Sequence, residues 1–274
     1  MLLKNALDAL ASVLFPGPCR VCGEALTNAS RIPLCESCLA GFEEIVPPMC
    51  TCCGRPFHSQ VAAEAAQPLC RLCRVNYYSF DRARSFAVYN DALFEAVLLL
   101  KYEAVGRLGN WFAARLATML SREAVEWRAD VVVPVPLDRA RRRERGYNQA
   151  ELIARPPAKR LNLPIEPRML VRTKARPPQL LVSRGERWKS VRGAYATNEG
   201  VDVDNLRILL VDDVLTTGAT LDACSRVLKK AGAAAVFGVT VARVRSWQAG
   251  LVSVAGAQKS RVHVKPDGGG GHPI

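Results

Sequence analysis

The sequence predicts an α/β protein: a parallel sheet flanked by helices, preceded by a small module that metal, rather than a core, holds together. Three features carry that prediction. Short apolar runs alternate with helical stretches from about residue 81, nine of the ten cysteines crowd between Cys19 and Cys73, and one apolar run ends in an acid pair followed by a threonine-rich turn. With 274 residues and 49% hydrophobic content, the chain can bury one large core or two smaller ones.

The cysteines come first in the chain. Cys19/Cys22, Cys35/Cys38, Cys50/Cys53 and Cys70/Cys73 each form a C-x-x-C pair, a spacing that lets two thiolates from one tight turn reach the same tetrahedral ion. Gly23 and Gly54 directly follow two of the pairs, where the backbone must turn sharply. Eight ligands in four pairs predict two structural zinc ions, each closed by four sulfurs. Sequential pairing (first with second, third with fourth) gives a double zinc ribbon. Interleaved pairing gives a cross-braced module; the intervening segments are of ribbon length and favour the first. Cys52 is the odd thiol, and His58 reads as a loop residue. A disulfide framework and an iron–sulfur cluster are the alternatives.

The start of the chain bears on that choice. Met1–Phe15 places Leu3, Leu7, Leu10 and Leu14 near helical spacing, but Lys4 and Asp8 interrupt the apolar run that a signal peptide needs. The reading is a short amphipathic helix in a cytoplasmic protein with no membrane span, a setting in which clustered thiols bind metal. Lysine and arginine number 38 against 25 acids, a net charge of +13. Such an excess suits polyanions: nucleic acid, anionic lipid or phosphorylated small molecules. A solvated basic surface is the plainer explanation, and composition does not separate them.

Beyond residue 80 the texture is α/β. Arg84–Tyr89 reads as a strand, Leu93–Tyr102 and Trp111–Ser121 as helices, and Asp130–Pro136 as a buried strand ending in a proline-bounded loop. Ile208–Val211 is a second buried strand, Leu221–Lys230 a helix stopping before Gly232, and Val236–Val241 a third strand. The expected division is 1–80 for the helix and ribbons and 81–245 for the α/β domain. Residues 246–274, with Gly268–Gly271, form a tail without period that is expected to be mobile.

The chemistry concentrates after the strand at Ile208. Asp212 and Asp213 arrive at its carboxyl edge, where α/β sheets bind ligands. Val214, Leu215, Thr216, Thr217, Gly218, Ala219 and Thr220 then lead into a helix N-terminus, whose backbone N–H groups and threonine hydroxyls suit a phosphate. Two adjacent carboxylates beside a phosphate cradle repel the ligand unless a hydroxylated sugar or a cation stands between them. A ribose phosphate with magnesium supplies both. A receiver domain also carries adjacent aspartates, but near its start rather than this far downstream.

Two basic segments suit the same ligand. Pro134–Gln149 carries arginines able to fork onto pyrophosphate oxygens, with Asn148 and Gln149 as neutral donors. Lys174–Tyr195 has little period and could close as a lid over a reacting sugar. Both also fit a solvated face, or a nucleic-acid patch with Trp188 and Tyr195 as stacking groups.

The run Ile208–Thr220 resembles the signature of the type I phosphoribosyltransferases. The ordered set of cysteine pairs, LKY, PVPLDRARRRERGYNQ, PPQ…SRGERWKSVRGAY and VDDVLTTGAT is similar to the competence protein ComF family over roughly residues 15 to 242. That resemblance implies a type I phosphoribosyltransferase fold with an N-terminal zinc module. It also implies binding of phosphoribosyl pyrophosphate with magnesium, and a role in natural transformation, in the uptake and processing of single-stranded DNA with competence and recombination proteins. It implies that Lys101, Arg145, Asn148 and Gln149 lie near the pyrophosphate, and that Pro177–Arg192 is a flexible hood. Asp212, Asp213 and Arg145 are the expected catalytic groups. Two departures stand out: Pro156–Pro157 is expected to break the helix after Gln149, at about 3 kcal/mol for an interior proline, and Ser190 stands where the family usually has asparagine. Two readings remain: a phosphoribosyltransferase enzyme, or a non-catalytic DNA- and protein-binding module on the same scaffold.

Overall fold

The computed structural model describes residues 17–26, 32–57, 67–102, 106–174 and 183–245. The expected N-terminal helix, His58, the first part of the expected hood and the tail after residue 245 lie outside them. Two short helices, α1 (Glu36–Ala40) and α2 (Arg71–Arg74), belong to the cysteine region. The α/β part runs β1 (Arg82–Val88), α3 (Asp91–Tyr102), α4 (Gly106–Trp127), β2 (Val131–Pro134), α5 (Arg139–Arg145), α6 (Gln149–Arg160), β3 (Leu170–Arg172), α7 (Arg184–Val191), β4 (Tyr195–Thr197), β5 (Arg207–Leu215), α8 (Ala219–Lys230) and β6 (Ala235–Arg243).

Four strands form one parallel sheet in the order β1-β6-β5-β2, and β3 and β4 make a separate antiparallel pair. The β5 run Ile208–Val211 is apolar throughout because both of its faces are covered. Leu209 and Val211 face one core with Phe112, Leu116, Leu120 and Trp127 of α4 and Ile153 and Ala154 of α6. Ile208 and Leu210 face the other, with Leu221, Cys224 and Leu228 of α8. Trp127 stacks on Phe237 of β6 at 4.9 Å. The period-2 alternation thus sorts one strand into two cores.

The cysteine region is seated on this sheet. Along the outer edge of β1, Ala83 N–H donates to the Cys52 carbonyl at 2.7 Å, Ile45 N–H to Phe86 at 2.8 Å and Val88 N–H to Glu43 at 2.8 Å. These bonds occupy edge groups that would otherwise invite another strand. Gly54 is fixed by the same contact: it has φ +68°, and a Cβ there would lie 2.7 Å from the Ala83 carbonyl oxygen.

Two expectations need correction. The helix after Gln149 is not broken; α6 runs through Pro156 and Pro157 to Arg160. Adjacent prolines remove two N–H donors from one turn only, and Ile153, Ala154, Pro157 and Ala158 on the same face are buried. Burying such side chains, at roughly 1.5–3 kcal/mol for each large aliphatic one, offsets the helix defect. The second correction concerns β5, which continues beyond Val211 to Leu215, so Asp212 and Asp213 are strand residues, as are Val214 and Leu215. The segment Lys174–Tyr195, read as having little period, holds the helix α7 and the first residue of β4; residues 175–182 lie outside the described residues. Ser183 and Glu186 form a reciprocal capping box at the start of α7.

Candidate functional site

The extension of β5 is what exposes the acid pair. Its pairing with β2 ends at Pro134↔Val211, whereas pairing with β6 continues through Asp212↔Thr240 to Leu215↔Arg243. Past Val211 the β2 side of the strand is open, and Asp212 and Asp213 stand at that step, both buried. Asp213 is the hub. Lys101 Nζ at the end of α3 lies 2.9 Å from its Oδ2, and Gln149 Nε2 at the start of α6 donates to the same oxygen at 3.2 Å. Val214 N–H donates to Oδ1 at 2.7 Å. Burial pushes this carboxyl up, but the Lys101 charge and the hydrogen bonds from Lys101, Val214 and Gln149 outweigh it and hold the group below its ordinary range. Asp213 is therefore an ionised, buried carboxylate.

The surrounding helices are placed by their caps. Asp138 caps α5 through the Arg141 N–H, and Gly146 ends it at φ +77°. Arg145, the last residue of α5, turns toward the acid pair: its Nη1 donates to Gln149 Oε1 at 3.1 Å, and its guanidinium lies 4.8 Å over the Tyr102 ring. Its buried Nε has no partner among the described residues. Arg139, Arg142 and Arg143 are exposed. Asn148, expected at the ligand, caps α6 instead: its Oδ1 accepts from Ala150 N–H at 3.1 Å and its Nδ2 donates to the Val135 carbonyl at 3.0 Å. Tyr147 ties the same turn to α3, its hydroxyl donating to the Leu100 carbonyl at 2.7 Å.

The threonine turn follows directly. Val214 is half-buried and Leu215 is buried in the α8-side core. Thr217 Oγ1 accepts from Ala219 N–H at 3.3 Å, and Ala219 and Thr220 open α8. No backbone N–H of Thr216, Thr217 or Gly218 has a protein acceptor among the described residues. These unsatisfied donors sit at the helix N-terminus, where an anion is favoured. Arg187 of α7 reaches the turn, its Nη1 donating to Thr216 Oγ1 at 3.3 Å. Ser190 donates to the Arg187 carbonyl at 2.8 Å, which spends its hydroxyl inside α7.

One neighbour of the turn escaped the sequence reading. Tyr78 donates its hydroxyl to the Thr217 carbonyl at 3.1 Å. Gly218 has φ +84°, and a Cβ there would lie 2.5 Å from Tyr78 Cε1. The glycine accommodates this ring as well as a left-handed backbone. The only local sign was the aromatic run Tyr77-Tyr78-Ser79-Phe80, and nothing in it indicates contact with a turn 139 residues away.

The cysteines form two groups, Cys19, Cys22, Cys35 and Cys38, and Cys50, Cys53, Cys70 and Cys73, with the sulfurs of each group within 4.8 Å of one another. Sequential pairing is thus the arrangement adopted. Sulfur separations of 3.8 Å (Cys19–Cys38), 3.6 Å (Cys22–Cys35) and 3.7 Å (Cys53–Cys70) match the edge of a tetrahedron, about 3.8 Å for metal–sulfur bonds of about 2.3 Å. They are far too long for disulfides. Cys35 and Cys70 are the N-caps of α1 and α2, so one pair in each group occupies the cap and third helical position. Backbone N–H groups of Cys35 and Cys70 donate to Cys19 and Cys50 sulfurs, both at 3.3 Å. Hydrogen bonds from Cys53, Cys70 and Cys73 pull the Cys50 thiol well below its ordinary value, while contacts with Cys50 and its neighbours push Cys73 up. Four thiols converging at the corners of one tetrahedron suit a divalent cation such as zinc. Cys52 stays outside the group, its thiol facing the Asp81 carbonyl at 3.5 Å.

A parallel sheet with an acid pair and threonine turn at its carboxyl edge, joined to two four-sulfur sites, defines an α/β class carrying zinc ribbons. The chain matches the phosphoribosyl transferase domain over residues 106–249, more than half its length, and belongs to that family. Residues 10–75 match the double zinc ribbon domain. Among curated proteins, it is 29% identical over 224 residues to competence protein ComFC of Bacillus subtilis, covering 77% of this chain and 84% of that one. It is 29% identical to DNA utilization protein YhgH of Salmonella typhimurium (81% and 94% covered) and 28% identical to competence protein F of Haemophilus influenzae (73% and 85%). No helix among the described residues is long and apolar enough to cross a membrane.

Proposed function

We propose that the carboxyl edge of the sheet binds phosphoribosyl pyrophosphate with magnesium, and that the protein serves the handling of incoming single-stranded DNA in the cytoplasm; relatives named for competence and for DNA utilization support a role in DNA handling. The observation that carries the reading is the buried Asp213 carboxylate, held ionised by Lys101 beside a threonine turn whose backbone N–H groups have no protein acceptor among the described residues. Asp212 and Asp213 accept hydroxyls of the ribose, and the Thr216–Thr220 turn takes the 5-phosphate. Magnesium, when bound, neutralises the pyrophosphate and orients it. Lys101 and Arg145, both already at Asp213 or its partner Gln149, stabilise negative charge on the departing pyrophosphate as an acceptor attacks the anomeric carbon.

The exposed Arg139, Arg142 and Arg143 on α5 favour a second reading, in which this face holds a DNA backbone and the carboxyl edge takes a DNA end rather than the sugar pyrophosphate. Calorimetry with magnesium and phosphoribosyl pyrophosphate separates the two. Binding by the wild type that vanishes in the Asp212→Asn, Asp213→Asn double variant supports the sugar site. No heat from either protein, with salt-sensitive affinity for single strands, would discard it in favour of the second reading.

A further inference from the structure

The segment leaving the second cysteine group does more than lead into β1. Five residues beyond Cys73, Tyr78 reaches the threonine turn through its hydroxyl bond to the Thr217 carbonyl. Ser79 N–H then donates to Asp222 Oδ1, on the first turn of α8, at 2.7 Å. Asp81 accepts from Val236 N–H and pairs with Lys229, both at 2.8 Å. The segment is therefore tied to the turn, to both ends of α8 and to β6, while Cys70 and Cys73 anchor its start.

The bond to Thr217 has a geometric consequence. A trans peptide is planar, with its carbonyl and N–H pointing in opposite directions. Holding the Thr217 carbonyl toward Tyr78 aims the Gly218 N–H away from Tyr78, into the turn. Glycine tolerates either orientation of the preceding peptide, so residue 218 itself does not choose. The choice falls to Tyr78, whose ring is fixed by stacking on the buried Phe80 at 4.7 Å and against Trp188 at 6.4 Å.

We propose that Tyr78 is a positioning residue for phosphate: its hydroxyl locks the Thr217–Gly218 peptide with the N–H facing the ligand, which makes the second cysteine site part of the scaffold of the phosphate turn. The inference rests on the reading of Thr216–Thr220 as the 5-phosphate site, and adds what sets its geometry. Tyr78→Phe removes the hydroxyl and keeps the stacked ring.

The test is calorimetry of the full-length, zinc-loaded protein and its Tyr78→Phe variant with magnesium and, separately, phosphoribosyl pyrophosphate, ribose 5-phosphate and inorganic pyrophosphate. Both sugar phosphates should weaken by a common factor of about five to ten, with pyrophosphate binding and zinc content unchanged. Equal affinity of wild type and variant for the sugar phosphates overturns the role of Tyr78 and leaves the site reading intact. A uniform loss for all three ligands with lower zinc content also overturns it, because that pattern marks general loosening. A wild type that binds neither sugar phosphate overturns the site reading and the role of Tyr78 together.

Discussion

Lys101 Nζ stands 2.9 Å from Asp213 Oδ2, a contact that joins the last turn of α3 to the carboxyl end of β5. Burial alone would drive the Asp213 carboxyl toward its neutral form, and Lys101 is the leading influence against it. Lys101→Met should therefore raise the Asp213 pKa. In the wild type the carboxylate persists below the ordinary carboxylate pKa of about 4, so Asp213 adds no pH dependence between neutral pH and about pH 5, and the slope there is that of the ligand phosphates, whose second ionisation lies at about 6. In the variant, affinity should fall more steeply than in the wild type as pH drops through that interval. Titration calorimetry at several pH values checks this, and parallel profiles for both proteins would refute the pairing.

Gly218→Ala places a methyl group 2.5 Å from Tyr78 at a left-handed φ. Left-handed backbone costs a non-glycine residue about 1–2 kcal/mol, and the ring must move as well. A lower urea midpoint and at least tenfold weaker sugar-phosphate binding are expected. Wild-type behaviour would mean the turn is not held as described.

The second cysteine group should depend on Arg243. This side chain is 2% exposed, donating to the Cys53 carbonyl at 2.6 Å and to the Cys53 sulfur at 3.4 Å. A four-thiolate zinc site carries net negative charge, and Arg243 is its buried counter-charge. Two zinc ions per chain are expected by metal analysis of the wild type. Cys53→Ser should leave about one, and Arg243→Met should release one ion to a chelator faster than the wild type. Identical release would remove Arg243 from the site.

Pro156→Ala tests the uninterrupted α6. Restoring an N–H inside a formed helix should stabilise the chain by roughly 1–3 kcal/mol in urea unfolding. No gain, or a loss, would indicate that the helix stops before Pro156.

Much of this architecture was legible in the residues, and the gaps have physical causes. The β5 and α8 runs carry both their period and their chemistry locally, so the acid pair and the turn were found together. Cysteine spacing likewise located both metal groups, although only the folded chain decided their pairing. The α6 prolines misled because local preference was overridden by a buried face. Asn148 was assigned to ligand as a neutral donor beside the arginines and again by resemblance, whereas a cap and a carbonyl engage its side chain. Tyr78 could not be found at all, since its importance lies in a contact across 139 residues. The Ser183–Glu186 capping box is a local S-x-x-E signal that was passed over in a segment read as having little period, and it marks the start of α7.

The most direct test is a crystal structure of the protein with magnesium and phosphoribosyl pyrophosphate. The sugar 5-phosphate is predicted on the backbone N–H groups of Thr216–Thr220, with ribose hydroxyls at Asp212 and Asp213. Density for the ligand on the exposed arginines of α5, with the threonine turn empty, would contradict the account.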